Sequence, residues 1–326
     1  PIELTQEYAE ERNLKVDLDG FHEEMAKQKE RARSARKDIQ SMKSQNEAFL
    51  NFEEESHFVG YQSLLSETKI IKLFDEGMVL EDTPFYATSG GQLADTGVIY
   101  NDRFSAHVTD VYKLPNGQFL HVYELLDGMP LEGMRVNAKV DEQRRNLTAY
   151  NHSATHLLFK ALRDLLGNHV SQQGSQVSSD MLRFDFNHYE SITDEQILEL
   201  ERRVNEMISE SYPTKTLIMT VDEAVKHGAI AEFGEKYGDS VRVVDLKYTL
   251  DLCGGTHVKD LKDIQRFAIK NLYSIGSGIY RIEGLTNVSV DSIADGLVGI
   301  NQEIDNLIHK AQSMIEQAEN EAIQVS

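Results

Sequence analysis

The chain has 326 residues, 40% apolar and 27% charged, which fits a folded globular protein with room for two core domains of about 100–200 residues each. Its 54 acidic against 33 basic residues leave a formal charge of −21, which argues against a chain-wide nucleic-acid surface, and no run approaches the roughly 18 apolar residues of a membrane span. The single cysteine, Cys253, rules out an internal disulfide, and the polar, acidic opening Pro1 to Arg12 is no signal peptide, so a cytoplasmic location and no membrane partner are expected.

Residues 1–51 read as a polar helical segment. The stretch 21–46 is rich in helix formers but has a thin apolar stripe. Lys27, Lys29, Arg31, Arg33, Arg36 and Lys37 cluster there, and suit either a phosphate backbone or a solvated helix face. In residues 52–140 the texture changes to short β-rich runs at 69–74, 77–80, 97–100, 104–112, 119–123 and 135–140. Turn signals such as Asn101-Asp102, Pro115-Asn116-Gly117 and Asp127-Gly128 separate them, and this spacing predicts a small antiparallel barrel. An apolar yet glycine-rich loop, Phe85 to Gln92, interrupts the strands, followed by Asp95-Thr96-Gly97.

Residues 141–290 read as mixed α and β. Helical periodicity runs over 151–166 and stops at Gly167. Strands are expected at 182–186, 217–221 and 241–246, and a closing hairpin at 267–273 with 277–283. An amphipathic helix is expected over 193–210, with Ile197, Leu198, Leu200, Val204, Met207 and Ile208 as its apolar set. The stretch Ser171 to Ser175 reads as a polar, glycine-containing loop. Residues 291–326 read as helix; Ile300, Ile304, Leu307, Ala311, Met314 and Ala318 form an a/d seam that needs a partner helix, so self-association is a possible use. That helix runs to the last residue without a cap, which suggests a longer parent chain. The fold class expected is α+β: a small antiparallel β-barrel, then a mixed α/β domain, flanked by N- and C-terminal helices.

The chemistry concentrates at two short motifs. His152 and His156 stand at i and i+4, on one face of an otherwise apolar helix. Cys253-Gly254-Gly255-Thr256-His257 offers a thiolate and an imidazole, joined by two glycines whose backbone freedom lets both turn to one point. Together they make a four-donor nitrogen and sulfur set, the kind that holds one zinc ion. Other readings stand beside it: hydrogen-bonded core histidines, a buried thiol, or a Cys253 nucleophile activated by His257. A metalloprotease is excluded, because Ser153 stands where its glutamate base would be.

These motifs resemble the editing domain of the alanyl-tRNA synthetase family. The stretch Thr83 to Gln92, then Asp95-Thr96-Gly97, is similar to its barrel signature. Phe233 to Asp239, Arg281-Ile282-Glu283, and the N-terminal Leu4-Thr5-Gln6-Glu7 with Gly20-Phe21 also match, so the likeness covers almost the whole chain. Free-standing AlaX-type deacylases share the barrel and core but not the N-terminal extension. The resemblance implies that 1–51 ends a tRNA-recognition region, 141–290 is a zinc-containing editing core, and 291–326 begins a helical oligomerisation region. It implies one zinc per chain on His152, His156, Cys253 and His257, and hydrolysis of tRNA(Ala) mischarged with serine or glycine; the alternative is a zinc-stabilised tRNA-binding module without catalysis. Gln92 and Cys253 are expected at the reacting centre, and Thr88, Ser89, Gln172, Gln173 and Arg281 against the substrate. Asp251 and Asp95 are candidate bases, each equally suited to a turn or a supporting bond. Thr88 stands where the family usually has glutamate, the hairpin loop at 274–280 is shorter than usual, and nothing in the sequence resembles the aminoacylation core.

Overall fold

The computed structural model describes residues 47–230, 240–276 and 278–292. The helix expected at 21–46 with its basic cluster, the stretch 233–239 and the seam at 300–318 lie outside the described residues. The described chain divides into two units, one running to Ser89 and resuming at Leu93–Glu142, the other made of Gly90–Gln92 and the chain from Gln143 onward.

The first unit is the expected barrel. All six strands form: β1 (Leu65–Phe74), β2 (Gly77–Leu80), β3 (Gly97–Asn101), β4 (Phe104–Lys113), β5 (Phe119–Gly128) and β6 (Arg135–Val140). They close in the order β1-β2-β5-β4-β3-β6, every neighbour antiparallel. The two-residue period is plain in the burial: Phe104, Ala106 and Val108 of β4, and Val136, Ala138 and Val140 of β6, fill the interior. A histidine is built into this wall. His121 Nδ1 lies 3.0 Å from the Met78 carbonyl, and its Nε2 lies 2.7 Å from the Thr83 hydroxyl. Burial pushes its pKa down to about 4, although the Met78 carbonyl favours the protonated ring.

The second unit is built on α1 (Glu142–Leu166), which begins nine residues before the apolar periodicity does, because its first turns are polar and mostly exposed. It ends at Gly167, whose φ of +117° breaks the helix. A four-stranded antiparallel sheet follows, in the order β12-β13-β8-β7, from β7 (Gln172–Val177), β8 (Leu182–Asn187), β12 (Phe267–Gly276) and β13 (Ile279–Thr286). Helix α2 (Asp194–Ser209) starts with a capping box between Thr193 and Gln196. Leu157, Leu158 and Leu162 of α1, Phe184 and Phe186 of β8, and Leu200, Val204 and Ile208 of α2 share one core. Leu198, expected in that apolar set, is instead 68% exposed. The expected loop at 171–175 is also corrected: residues 172–177 are an edge strand, with no apolar alternation to betray it, held by pairing to β8. Gly91 and Gln92 run beside it, with the Val177 amide donating to the Gly91 carbonyl at 2.8 Å. A second, three-stranded sheet contains β9 (Lys215–Met219), β10 (Val241–Asp245) and β11 (Leu250–Leu252), with α3 (Val221–Lys226) between β9 and β10; β11 and α3 were not legible in the sequence.

His121 gives the barrel a pH signature. Its folded pKa lies below the ordinary 6.5, so the unfolded chain binds the proton first: the neutral ring's full contribution is present above about 6.5 and is lost as pH falls towards about 4. The shift corresponds to about 3 kcal/mol. Chemical denaturation of wild type and His121→Asn across that window should show the extra acid sensitivity in wild type only; parallel curves would contradict it.

Candidate metal centre

Helix α1 sets His152 and His156 one turn apart with rings stacked, 5.2 Å between centroids and 11° between planes. The chain leaving β11 turns at once through Cys253-Gly254-Gly255-Thr256-His257, and brings the His257 ring to 4.4 Å from that of His152. One donor atom from each of His152, His156, Cys253 and His257 falls within 4.8 Å of all the others.

Each imidazole is oriented by a different partner on Nδ1. For His152 it is the Gln92 side-chain carbonyl at 2.8 Å, for His156 the Asp251 carboxylate at 3.2 Å, and for His257 the Ser153 hydroxyl at 3.1 Å. All three Nε2 atoms therefore face inward. Those of His152 and His257 lie 3.4 and 3.3 Å from Cys253 Sγ. Nε2 of His156 is buried with no hydrogen-bond partner at all. An orphaned buried ring nitrogen costs about 1–3 kcal/mol, and a metal ion among these donors removes that cost. The residues present fit such an ion.

The electrostatics agree. Burial pushes the Cys253 thiol up, but the imidazoles of His152 and His257 outweigh it and hold the thiol well below its ordinary range. Burial also disfavours protonated His156, but the facing Asp251 carboxylate overrides it and raises that ring well above 6.5. His257, with no carboxylate partner, is lowered by burial to about 3.

Gly255 explains the close approach. A Cβ there would sit 2.0 Å from His152 Cε1 and 2.9 Å from the Gln92 side-chain oxygen. The reason for this glycine is space rather than backbone angle, since neither Gly254 nor Gly255 has a positive φ. Gln92 is fully buried, and its amide is drawn into the cluster: it donates to the Thr256 hydroxyl at 2.9 Å and accepts from the Thr256 amide at 2.9 Å as well as facing His152. Ser153, which also accepts from the Val258 amide at 3.1 Å, was noted in the sequence only against a metalloprotease, and Thr249, which donates to Asp251 at 2.8 Å, was not noted; the sequence carries no signal for either as a support beyond closeness to the motifs.

The other expected residues lie elsewhere. Thr88 and Ser89 are exposed on the barrel loop, where the Thr88 hydroxyl accepts from the Ala94 amide and the Ser89 carbonyl accepts from the Tyr86 hydroxyl. Asp95 accepts the Tyr86 amide at 2.6 Å. Gln172 and Gln173 open β7, with Gln173 donating to Ser171. Arg281 on β13 forms a two-point pair with Asp185, 2.7 Å at each contact, which raises its pKa further.

Comparison with known proteins places these elements. A model described as "tRNA synthetases class II (A)" matches residues 1–144, and one described as "Threonyl and Alanyl tRNA synthetase second additional domain" matches residues 241–283, which include Cys253 and His257. The chain is 49% identical over 317 residues to an alanine–tRNA ligase of Acholeplasma laidlawii, covering 97% of this chain and 36% of that protein. Those of Listeria monocytogenes and Bacillus subtilis are 47% and 44% identical over 300 residues, 88% of this chain and 34% of each relative. The chain thus spans about a third of the length of these curated relatives.

The packing at Gly255 makes a direct test. Gly255→Ala should displace the His152 ring and lower affinity for added Zn2+ by about 10–100-fold, measured by chelator competition on folded protein. Wild-type affinity in that variant would mean the ring and the loop do not meet as described.

Proposed function

The chain belongs to the alanine–tRNA ligase family, and on that premise we propose that it is a zinc-dependent deacylase that hydrolyses Ser-tRNA(Ala) and Gly-tRNA(Ala) in the cytoplasm. The observation that carries the reading is the His152, His156, Cys253 and His257 cluster, with every Nδ1 already partnered. Three nitrogens and a thiolate are the donors of a zinc site, and the 3.3–3.4 Å spacing of Sγ from two of the Nε2 atoms is close to the roughly 3.5 Å edge of a zinc tetrahedron. We assign the joining of alanine to tRNA, which the relatives' name denotes, to the remaining two-thirds of such a protein.

The need for a second site follows from physical chemistry. A pocket shaped for alanine discriminates against one hydroxyl or one missing methyl by only about 10–200-fold, so wrongly made esters must be removed afterwards. In the proposed reaction water adds to the ester carbonyl, the acyl C–O bond to the terminal ribose breaks, and the proton lost by water passes to the departing ribose oxygen, giving free amino acid and tRNA. Zinc supplies Lewis acidity for that chemistry when bound. The protein's part is positioning. Gln92, Asp251 and Ser153 hold the Nδ1 side of each ring, which leaves Nε2 as the atom that would face the ion. The Cys253 sulfur, held low in pKa by His152 and His257, brings the compensating negative charge. Asp251 is bound to His156 and Thr249, and Asp95 to Tyr86, so we take both as supports rather than bases. Gln92 acts through His152. Thr88, Ser89, Gln172 and Gln173 are proposed contacts to the amino acid or the ribose, and Arg281 to a ribose or phosphate from its place beside Asp185.

One observation favours a second reading. Four protein donors are the closed set of structural zinc, whereas catalytic sites keep a position open. On that reading the chain binds tRNA and does not hydrolyse it. Purified protein and its His152→Ala, His156→Ala and His257→Ala variants, assayed on Ser-tRNA(Ala) with metal content measured on the same samples, separate the two. Turnover in wild type, lost at least 100-fold together with zinc in each variant, is the expected result. Binding without turnover in wild type supports the structural reading, and full turnover in metal-free variants would sink the zinc-dependent mechanism.

A further inference from the structure

Cys253 differs from the other three donors in how it is carried. Both α1 histidines ride on a 25-residue helix packed into the main core, and His257 precedes Val258, which is buried in that core. Cys253 sits one residue beyond β11, a three-residue edge strand, at the start of a diglycine turn, and is half-buried like His156 and His257. Such a segment is free to drift unless its backbone is tied, and a drift of about 1 Å takes a thiolate out of bonding distance of a metal held by three imidazoles.

One of its ties is a residue that belongs to none of the sequence motifs. Arg242, on the neighbouring strand β10, takes hold of Cys253 from both sides of its backbone. The Arg242 carbonyl accepts the Cys253 amide at 3.0 Å, and Arg242 Nη1 donates to the Cys253 carbonyl at 2.8 Å. The same Nη1 reaches the Gly255 carbonyl at 3.0 Å, so the two hydrogens of one nitrogen span both ends of the diglycine turn. The other arm of the guanidinium, Nη2, lies 3.4 Å from the Thr216 hydroxyl on β9. The consequence for the thiolate is direct: with the turn curled this way, the Gly255 amide points back at Cys253 Sγ, 3.4 Å away. Neither lysine nor a neutral side chain reproduces a planar donor fixed at its far end and bridging two carbonyls.

We propose that Arg242 is the positioning residue that keeps Cys253 in the ligand set, and so decides whether the site holds a metal with four donors or with three. Loss of its side chain frees the carbonyls of Cys253 and Gly255 and leaves the three imidazoles in place. The metal then stays bound but loses its sulfur, and dissociates faster. This inference rests on the four-donor reading of the site.

The test uses cobalt as a spectroscopic substitute for zinc in the full chain. Wild type should show the intense visible bands of four-coordinate cobalt and the near-ultraviolet band of a cobalt–thiolate bond. Arg242→Gln should keep stoichiometric cobalt but lose most of the thiolate band, and release metal to a chelator at least tenfold faster. Arg242→Lys, with the charge but no bridging fork, should fall between. A residue that merely stabilised the fold would lower the unfolding midpoint and leave the spectrum of the folded protein unchanged. In a Cys253→Ser background, Arg242→Gln should have no further effect on metal release, since there is no sulfur left to position. An unchanged thiolate band and release rate in Arg242→Gln overturn the inference; should that variant not fold, the same result in Arg242→Lys does so. Absence of the thiolate band in wild type would instead overturn the four-donor reading, which keeps the two failures distinct.

Discussion

Much that is distinctive about the second unit follows from one constraint: four donor atoms must crowd into one small space, with the Cys253 sulfur 3.3–3.4 Å from two ring nitrogens. Imidazoles left to themselves would rotate and pair, or protonate. Here each Nδ1 is tied by a group of its own, namely Gln92, Asp251 and Ser153, so each Nε2 has one direction left. The supports come from widely separated parts of the chain. Gln92 arrives from the barrel loop, Ser153 lies within α1 itself, and Asp251 comes from the small sheet through β11. A centre this dependent on distant segments ties local packing to the whole unit, and explains why residue 255 has no room for even a methyl group.

The three supports are chemically unequal, and this gives the site its polarity. A carboxylate behind His156 outweighs burial and holds that ring well above the ordinary imidazole value, while His257, backed by a neutral hydroxyl, is pushed down to about 3 by burial. The thiol of Cys253 is pulled the other way by the rings it faces. A divalent ion held by these residues would meet a thiolate and, one ring away, a carboxylate, which would balance its two positive charges inside the cluster. That balance makes burial of a full ion affordable in a low-dielectric interior, where unpaired charge is costly.

Much of this was legible in the sequence, for reasons that differ by element. The barrel strands carry a two-residue alternation and sharp turn residues between them, and all six were found where that pattern placed them. The clustering of His152, His156, Cys253 and His257 was legible because histidine pairs at i and i+4, and a cysteine and histidine four apart, are rare in an apolar context. What failed was structure held by backbone pairing alone. Strand β7 is polar on both faces and lies at an edge, so its Gln-Gln-Gly-Ser run looks like a loop. Strand β11 is three residues long, too short for any period. Of the supports, Gln92 and Asp251 were named from the sequence but their partners were not: Gln92 is about 60 residues from His152 and about 160 from Thr256, and no local pattern announces a bond of that span.

The acidic chain poses a further question, because a charge of −21 repels the phosphates of an RNA. The resolution lies in how affinity is divided. A deacylase acts on the 3′ end of its substrate, a single ester, and needs long-range attraction only where the polynucleotide runs. With a divalent ion bound, thiolate, carboxylate and metal would cancel within one cluster, and such a centre would add nothing to the repulsion. Attraction must then come from discrete basic groups rather than from the mean charge. The run from Lys27 to Lys37 is the densest such group in the sequence, so on the proposed reading it is the first candidate for attraction to a polynucleotide. Local clusters of this kind mean that net charge by itself decides little about what a chain of this composition binds.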